Sequence, residues 1–184
     1  MKSISILSFL LIIHSVSFSQ SKLFTKSGNI TFHSSAAMEK IEATNNKVLS
    51  VWMPADGKIE FSVLMKGFEF EKALMQEHFN DDYVESDKYP KTTFKGTVEG
   101  SRNISLSADG NYPVKVTGSL TMHGVTKQIS TPATIRVKGG VAGATASFTL
   151  LLADYNIKIP SIVADNVSKQ ILVVVNIPAY QPMN

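Results

Sequence analysis

Apolar and polar residues alternate with a period of two along much of the chain, which sets one row of side chains on each face of a strand. Ile30 and Phe32 alternate with Thr31 and His33; Ile59, Phe61, Val63 and Met65 alternate with Glu60, Ser62 and Lys66, with Leu64 breaking the polar row. The clearest run sets Val114, Val116, Gly118, Leu120 and Met122 against Lys115, Thr117, Ser119, Thr121 and His123 without exception. Further runs place Ile129, Ala133, Ile135 and Val137 opposite Gln128, Ser130 and Arg136, and Ala146, Phe148 and Leu150 opposite Thr145, Ser147 and Thr149. From Ile171 to Ile177 both rows are largely apolar, the pattern of a strand covered on both faces.

Turn residues punctuate these runs at Ala55-Asp56-Gly57, Ala108-Asp109-Gly110-Asn111 and Lys138-Gly139-Gly140. One segment departs from period two. Between Phe70 and Val84 the residues Phe70, Ala73, Leu74, Glu77 and His78 fall at helical spacing, among helix formers such as Glu71, Lys72 and Gln76. Lys88-Tyr89-Pro90 then forces an extended backbone, because proline disfavours a helical residue before it, and a strand is predicted over Thr92 to Val98. Strands joined by turns with one helix inserted predict a mainly β, antiparallel domain; alternation alone leaves sandwich and barrel open.

The start of the chain follows other rules. Lys2 precedes an apolar run from Ile4 to Ile13, shorter than the roughly 20 residues that span a bilayer. Ser17 and Ser19 complete a small-x-small site, so residues 1–19 read as a secretory signal peptide cut ahead of Gln20, and residues 20–184 as the domain. The expected location is periplasmic or extracellular, with no stable membrane span. No Cys is present, which excludes disulfides, thiolate metal sites and cysteine nucleophiles. Eighteen basic against 15 acidic residues is too slight and too interleaved an excess for nucleic-acid binding.

Catalytic motifs are also missing: Gly-x-Ser-x-Gly, GxGxxG and the phosphate-binding P-loop do not occur. His14, His33, His78 and His123 show no metal-ligand spacing, and His14 lies in the leader. Asp81, Asp82, Glu85 and Asp87 read as a solvated helix end rather than a calcium loop. No catalytic residue, metal site or cofactor is expected.

Two stretches carry more information. Lys88-Tyr89-Pro90 with Phe94, and Gly118-Ser119-Leu120-Thr121-Met122-His123-Gly124-Val125-Thr126-Lys127, resemble in order and separation the two most recognisable motifs of the YceI-like family of secreted lipid- and polyisoprenoid-binding proteins. The resemblance extends over about Leu23 to Ile177. It departs at Leu151 to Ile157, where family members often carry an Arg and a Gly that are absent here. The resemblance implies an antiparallel, eight-stranded, lipocalin-like barrel whose interior holds an isoprenoid or other long-chain lipid.

On that fold the apolar wall would draw on Phe32, Phe61, Val63, Phe94, Leu120, Met122, Ile135, Phe148, Leu150 and Val173. Phe68, Phe70, Leu74 and Phe79 would seat the helix, and Trp52 would pack at one end. Lys88, Tyr89 and Pro90 would fix the turn into the next strand, and His123-Gly124 would turn between two strands. The leading functional expectation is a carrier or sequestering protein for an isoprenoid quinone, prenyl phosphate or similar lipid. The alternatives are an enzyme acting on such a lipid and a ligand-free interaction or stress-protective module. The sequence does not set oligomeric state and leaves a homodimer open.

Overall fold

The structure is a computed structural model that describes residues 22–183. The expected signal peptide and its cut ahead of Gln20 lie outside the described residues. The strands are β1 (Leu23–Ser35), β2 (Lys40–Met53), β3 (Lys58–Leu64), β4 (Glu69–Phe70), β5 (Lys91–Glu99), β6 (Gly110–Met122), β7 (Val125–Lys138), β8 (Val141–Leu151), β9 (Gln170–Ile177) and β10 (Gln181–Pro182). Eight of them run β1-β2-β3-β5-β6-β7-β8-β9, each antiparallel to the next, and β9 pairs back onto β1. The sheet is therefore a closed eight-stranded barrel, which leaves none of these strands as an edge. The short β4 adds to β2 at Ala43 and Thr44, and β10 adds to β1 at Leu23 and Phe24.

Closure demands curvature, and the chain supplies it at two places. Register shifts around Gly28 bulge the β1–β2 pair, so that Gly28 faces Val48 while Ile30 faces Asn45. A Cβ at Gly28 would lie 2.6 Å from the Ile177 side chain. On the other side, Gly96 and Gly118 face each other across β5 and β6, and a Cβ on Gly118 would come within 2.4 Å of the Gly96 Cα. The Phe94 ring lies against both glycines and covers the backbone that they leave bare.

The β2 strand was not visible as alternation, because its bulge puts Asn46 and Lys47 outside between the buried Asn45 and Val48. Asn45 is wholly buried yet satisfied: its side-chain amide donates to the Leu64 carbonyl (2.9 Å), and its oxygen accepts from the Lys47 N–H (2.9 Å).

Two expectations need correction. The helical segment is shorter than residues 70–84: Phe70 belongs to β4, helix α1 spans Ala73–His78, and Phe79–Tyr83 follows as a π-helical turn. Its inward side chains are Met75, Phe79 and Tyr83, whereas Leu74 points to solvent and does not seat the helix. The two faces carry similar numbers of apolar residues, so periodicity could not choose between them. The β9 strand, in turn, is covered only from inside: Ile171, Val173 and Ile177 are buried, but Leu172 is exposed. Its outer row, Leu172, Val174 and Asn176, carries two apolar residues without a second covering layer.

The two ends of the barrel differ. One end is solid: Trp52 is fully buried, its indole N–H donates to Ser101 Oγ (3.2 Å), and its ring packs on Tyr180 at 5.8 Å. Ser101 Oγ donates on to the Pro54 carbonyl (2.9 Å), and the Tyr180 hydroxyl pairs with Ser50 Oγ (2.9 Å). Burial pushes the Tyr180 phenol up to about 12, so it stays neutral. Around them Val48, Val98, Val137 and Ile177 complete a packed plug. At the opposite end, α1 and the connections from β1 to β2 and from β8 to β9 surround an opening.

The facing glycines supply the first test. Gly118→Val forces a side chain into backbone, and it should cost about 1–3 kcal/mol in a urea unfolding series. The same change at Gly139, whose Cβ position is open but whose φ is 57°, should cost less.

Candidate functional site

Because successive strand side chains alternate between faces, the inward row of each barrel strand converges on one interior. Above the plug that interior is not filled, and a cavity of about 400 Å³ remains, within the range of small-molecule sites. All ten residues singled out from the sequence border it: Phe32 from β1, Phe61 and Val63 from β3, Phe94 from β5, Leu120 and Met122 from β6, Ile135 from β7, Phe148 and Leu150 from β8, and Val173 from β9. Period-two alternation marks these faces in the other strands named, but not in β9, where both rows are largely apolar.

Alternation could not find the part of the wall made outside the strands. Met65 and Phe68 follow β3, Met75, Phe79 and Tyr83 come from the helical segment, and Ile157, Val163 and Val167 come from the β8–β9 connection. Phe68, Phe70 and Phe79 gather on Phe32, with ring centroids 5.1 to 5.7 Å apart. This aromatic cluster ties α1 to the barrel mouth. Two of its members, Phe32 and Phe79, share a near-parallel stack, and the other contacts are tilted or edge-on.

The wall is almost wholly apolar. Its ionisable members are Glu39, His78 and Tyr83; no Lys or Arg lines the cavity among the described residues. Glu39 is paired with Lys72 (3.1 Å), and His78 Nδ1 with Asp82 (2.7 Å). Partial burial, with the nearby Asp82 carboxylate, raises the Tyr83 phenol above its ordinary value and keeps it neutral. Polar wall atoms further in belong to hydroxyls such as Thr131, which donates to the Ser147 carbonyl (3.0 Å). Nothing in this set pairs a nucleophile with a base.

The two sequence motifs meet outside the cavity. His123 and Gly124 form the two-residue turn between β6 and β7, both with positive φ (49° and 74°), as a tight hairpin of this length requires. The Tyr89 ring packs edge-on against His123 at 4.5 Å and lies against Gly124, where a Cβ would meet it at 2.8 Å. His123 is largely buried; its Nδ1 lies 2.9 Å from the Tyr155 carbonyl oxygen and its Nε2 2.6 Å from Glu85 Oε2. Lys88 stands over the Tyr89 ring and 3.6 Å from Glu85. The motifs thus form a clasp that joins the helical segment, the β6–β7 hairpin and the turn after β8. The departure at Leu151 to Ile157 leaves this clasp intact, because Asn156 adopts the left-handed conformation (φ 57°) that asparagine tolerates best after glycine.

Three of the four acidic residues after α1 are dispersed onto separate partners: Asp82 to His78, Glu85 to His123 and Asp87 to Lys66. Among the described residues no group of three or more His, Asp or Glu gathers as a metal site. No helix among them is long and apolar enough to cross a membrane.

A closed antiparallel barrel with an apolar interior, open at one end, defines a β-barrel binding-domain fold. Residues 14–179 match the YceI-like domain, and the chain belongs to that family. Among curated relatives, a UPF0312 protein of Pseudomonas putida is 38% identical over 85 residues, covering 43% of this chain and 41% of the relative. The protein YceI of Shigella flexneri is 30% identical over 112 residues, covering 57% and 54%. The chain thus matches about half, or somewhat less, of the length of these relatives. Among solved structures, a polyisoprenoid-binding domain from Saccharophagus degradans, implicated in plant cell wall breakdown, superimposes with a TM-score of 0.76 at 16% identity, covering 89% of this chain and 99% of that one. BcnA of Burkholderia cenocepacia gives 0.68 at 15% identity, covering 84% and 96%. At such identities these structures establish the shared fold.

The clasp predicts a pH dependence. The His123 hydrogen bond, helped by Lys88, holds the Glu85 carboxyl below its ordinary value of 4.5. A carboxyl that ionises more readily folded than unfolded stabilises fully above the unfolded value, and that stabilisation is lost as pH falls through the folded one. Glu85→Gln should therefore flatten the acid limb of the melting temperature measured between roughly pH 3 and pH 6. His123→Ala should lower the melting temperature at neutral pH while leaving affinity for an apolar ligand within about twofold, since the ring faces away from the cavity.

Proposed function

We propose that this chain reversibly binds a long apolar molecule with an uncharged head group, such as an isoprenoid quinone or a prenyl alcohol, and works as a carrier or store rather than an enzyme. The observation that carries this reading is a 400 Å³ cavity lined almost entirely by carbon and open at one end. Its membership of the YceI-like family and the name of its polyisoprenoid-binding structural neighbour support the choice of an isoprenoid. Enclosing ten tail carbons at about 0.8 kcal/mol each would contribute roughly 8 kcal/mol before association costs, enough for selective but reversible holding.

The wall chemistry separates two candidate cargoes. A phosphate or pyrophosphate buried without a cation is strongly disfavoured, and the cavity presents Glu39 where a lysine or arginine would be needed. A quinone or alcohol needs only a hydroxyl or amide partner, which Tyr83 and Asn166 at the mouth provide. Catalysis finds little support in the interior: His78 is paired with Asp82, but among the described residues no nucleophile is hydrogen-bonded to it. The leader-like start supports action in the periplasm or outside the cell, where a chain without Cys is indifferent to redox conditions.

Mass spectrometry of an organic extract from natively purified protein should reveal a stoichiometric isoprenoid that is unchanged after incubation. In titrations, a prenyl alcohol should bind at least about tenfold more tightly than its monophosphate, and Leu120→Asp should abolish binding or folding. Empty protein that binds no prenyl alcohol or quinone would favour a ligand-free interaction or protective module. A chemically altered lipid would indicate an enzyme.

A further inference from the structure

The large apolar side chains that the barrel leaves in solvent are not spread evenly. The three most exposed are Ile162 (91%), Met38 (76%) and Leu74 (61%), and they come from three different connections: 152–169, 36–39 and the helix α1. All three connections lie at the open end. They also hold one another in place, because the Met38 N–H donates to the Asp165 carbonyl (3.0 Å) and Glu39 pairs with Lys72 (3.1 Å) beside α1. The neighbours of the protruding residues, Glu39, Met75 and Val163, form part of the cavity wall. Isolated exposed apolar residues are unremarkable on any protein; three tips bonded into one rim around the entrance to an apolar cavity are not a random scatter.

The charge around this rim restricts what it can meet. The segments 36–39, 65–90 and 152–169 contain ten carboxylates against five lysines. Such an acidic collar repels nucleic acid and strongly anionic membranes. The tips come from two loops and one short helix and surround an opening, so they form neither a groove for a helix nor an edge for a strand. A fluid interface that receives several separate apolar tips at once, and that carries little negative charge, matches both features.

We propose that Met38, Leu74 and Ile162 form a docking rim that inserts shallowly into the surface of a zwitterionic lipid bilayer, placing the cavity mouth against the membrane. The collar limits docking on anionic lipid. Docking through the rim does not require a loaded cavity, and vesicle binding reports on it directly. It adds a membrane-facing orientation to the binding function proposed above.

The protein is mixed with phosphatidylcholine vesicles and sedimented, alongside the triple variant Met38→Asp/Leu74→Asp/Ile162→Asp. All three positions are exposed, so the variant should keep the parent melting temperature and its affinity for free farnesol. The parent should sediment with the vesicles, and the variant should bind at least about tenfold more weakly, the equivalent of losing one buried side chain of this size. Replacing part of the phosphatidylcholine with phosphatidylglycerol should reduce parent binding, and salt should restore it. Three results would overturn the proposal: no sedimentation of the parent, equal binding by the variant, or stronger binding as anionic lipid is added. A rim-dependent dimer in sedimentation velocity without vesicle binding would overturn it as well. Rim-dependent vesicle binding by a protein that takes up no farnesol or quinone would uphold the docking rim and remove the carrier reading instead.

Discussion

Barrel closure between β9 and β1 is the constraint on which the other features depend. The β1 strand is hydrogen-bonded along both sides, to β2 and to β9, and this removes the free edges that an eight-stranded sheet would otherwise expose. Closing a sheet of eight strands also dictates an interior about wide enough for side chains to fill, or for one ligand to occupy if they do not. Both outcomes coexist here. Glycines at the tight positions, Gly28 on one side and the Gly96–Gly118 pair on the other, let the sheet coil enough to close.

The division of the interior into plug and cavity has an energetic logic. At about 24 cal/mol per Å³, the figure for cavities in packed cores, an empty 400 Å³ space corresponds to forgone packing of up to about 10 kcal/mol, an upper bound because this one opens to solvent. That is comparable with the whole stability of an ordinary domain. The barrel can hold the space open because the other end is dense: Trp52, Tyr180, Val48 and Ile177 are all buried, and the polar atoms of Trp52 and Tyr180 are hydrogen-bonded. Near the mouth, the His123–Glu85–Tyr89 clasp and the Phe32 cluster anchor the helical segment without using the cavity wall for polar contacts. An apolar guest would restore contacts that the protein itself does not make.

Much of this was legible in the sequence, for a definite reason. Where strands are regular, as in β3, β5 and β6, period two assigns the inward face, and the residues it selected border the cavity. Legibility failed where the backbone departs from that period. The bulge in β2 hides a strand behind two outward residues and buries Asn45 and Ser50, which look like surface positions until their hydrogen bonds are seen. Around α1 both faces carry apolar residues, and the inward choice of Met75, Phe79 and Tyr83 depends on the aromatic cluster supplied by β1 and β4. Val163 and Val167 lie in a connection with no strand periodicity, so only the fold brings them to the mouth.

The polarity of the barrel also has a practical side. Leu23 pairs with Pro182, and Lys22 accepts a hydrogen bond from Met183, so both ends of the described chain leave at the plugged pole. A fluorophore, affinity handle or surface tether joined at Lys22 or Met183 would hang away from the entrance. Immobilised that way, the molecule would present its open pole outward, accessible to whatever exchanges material with it.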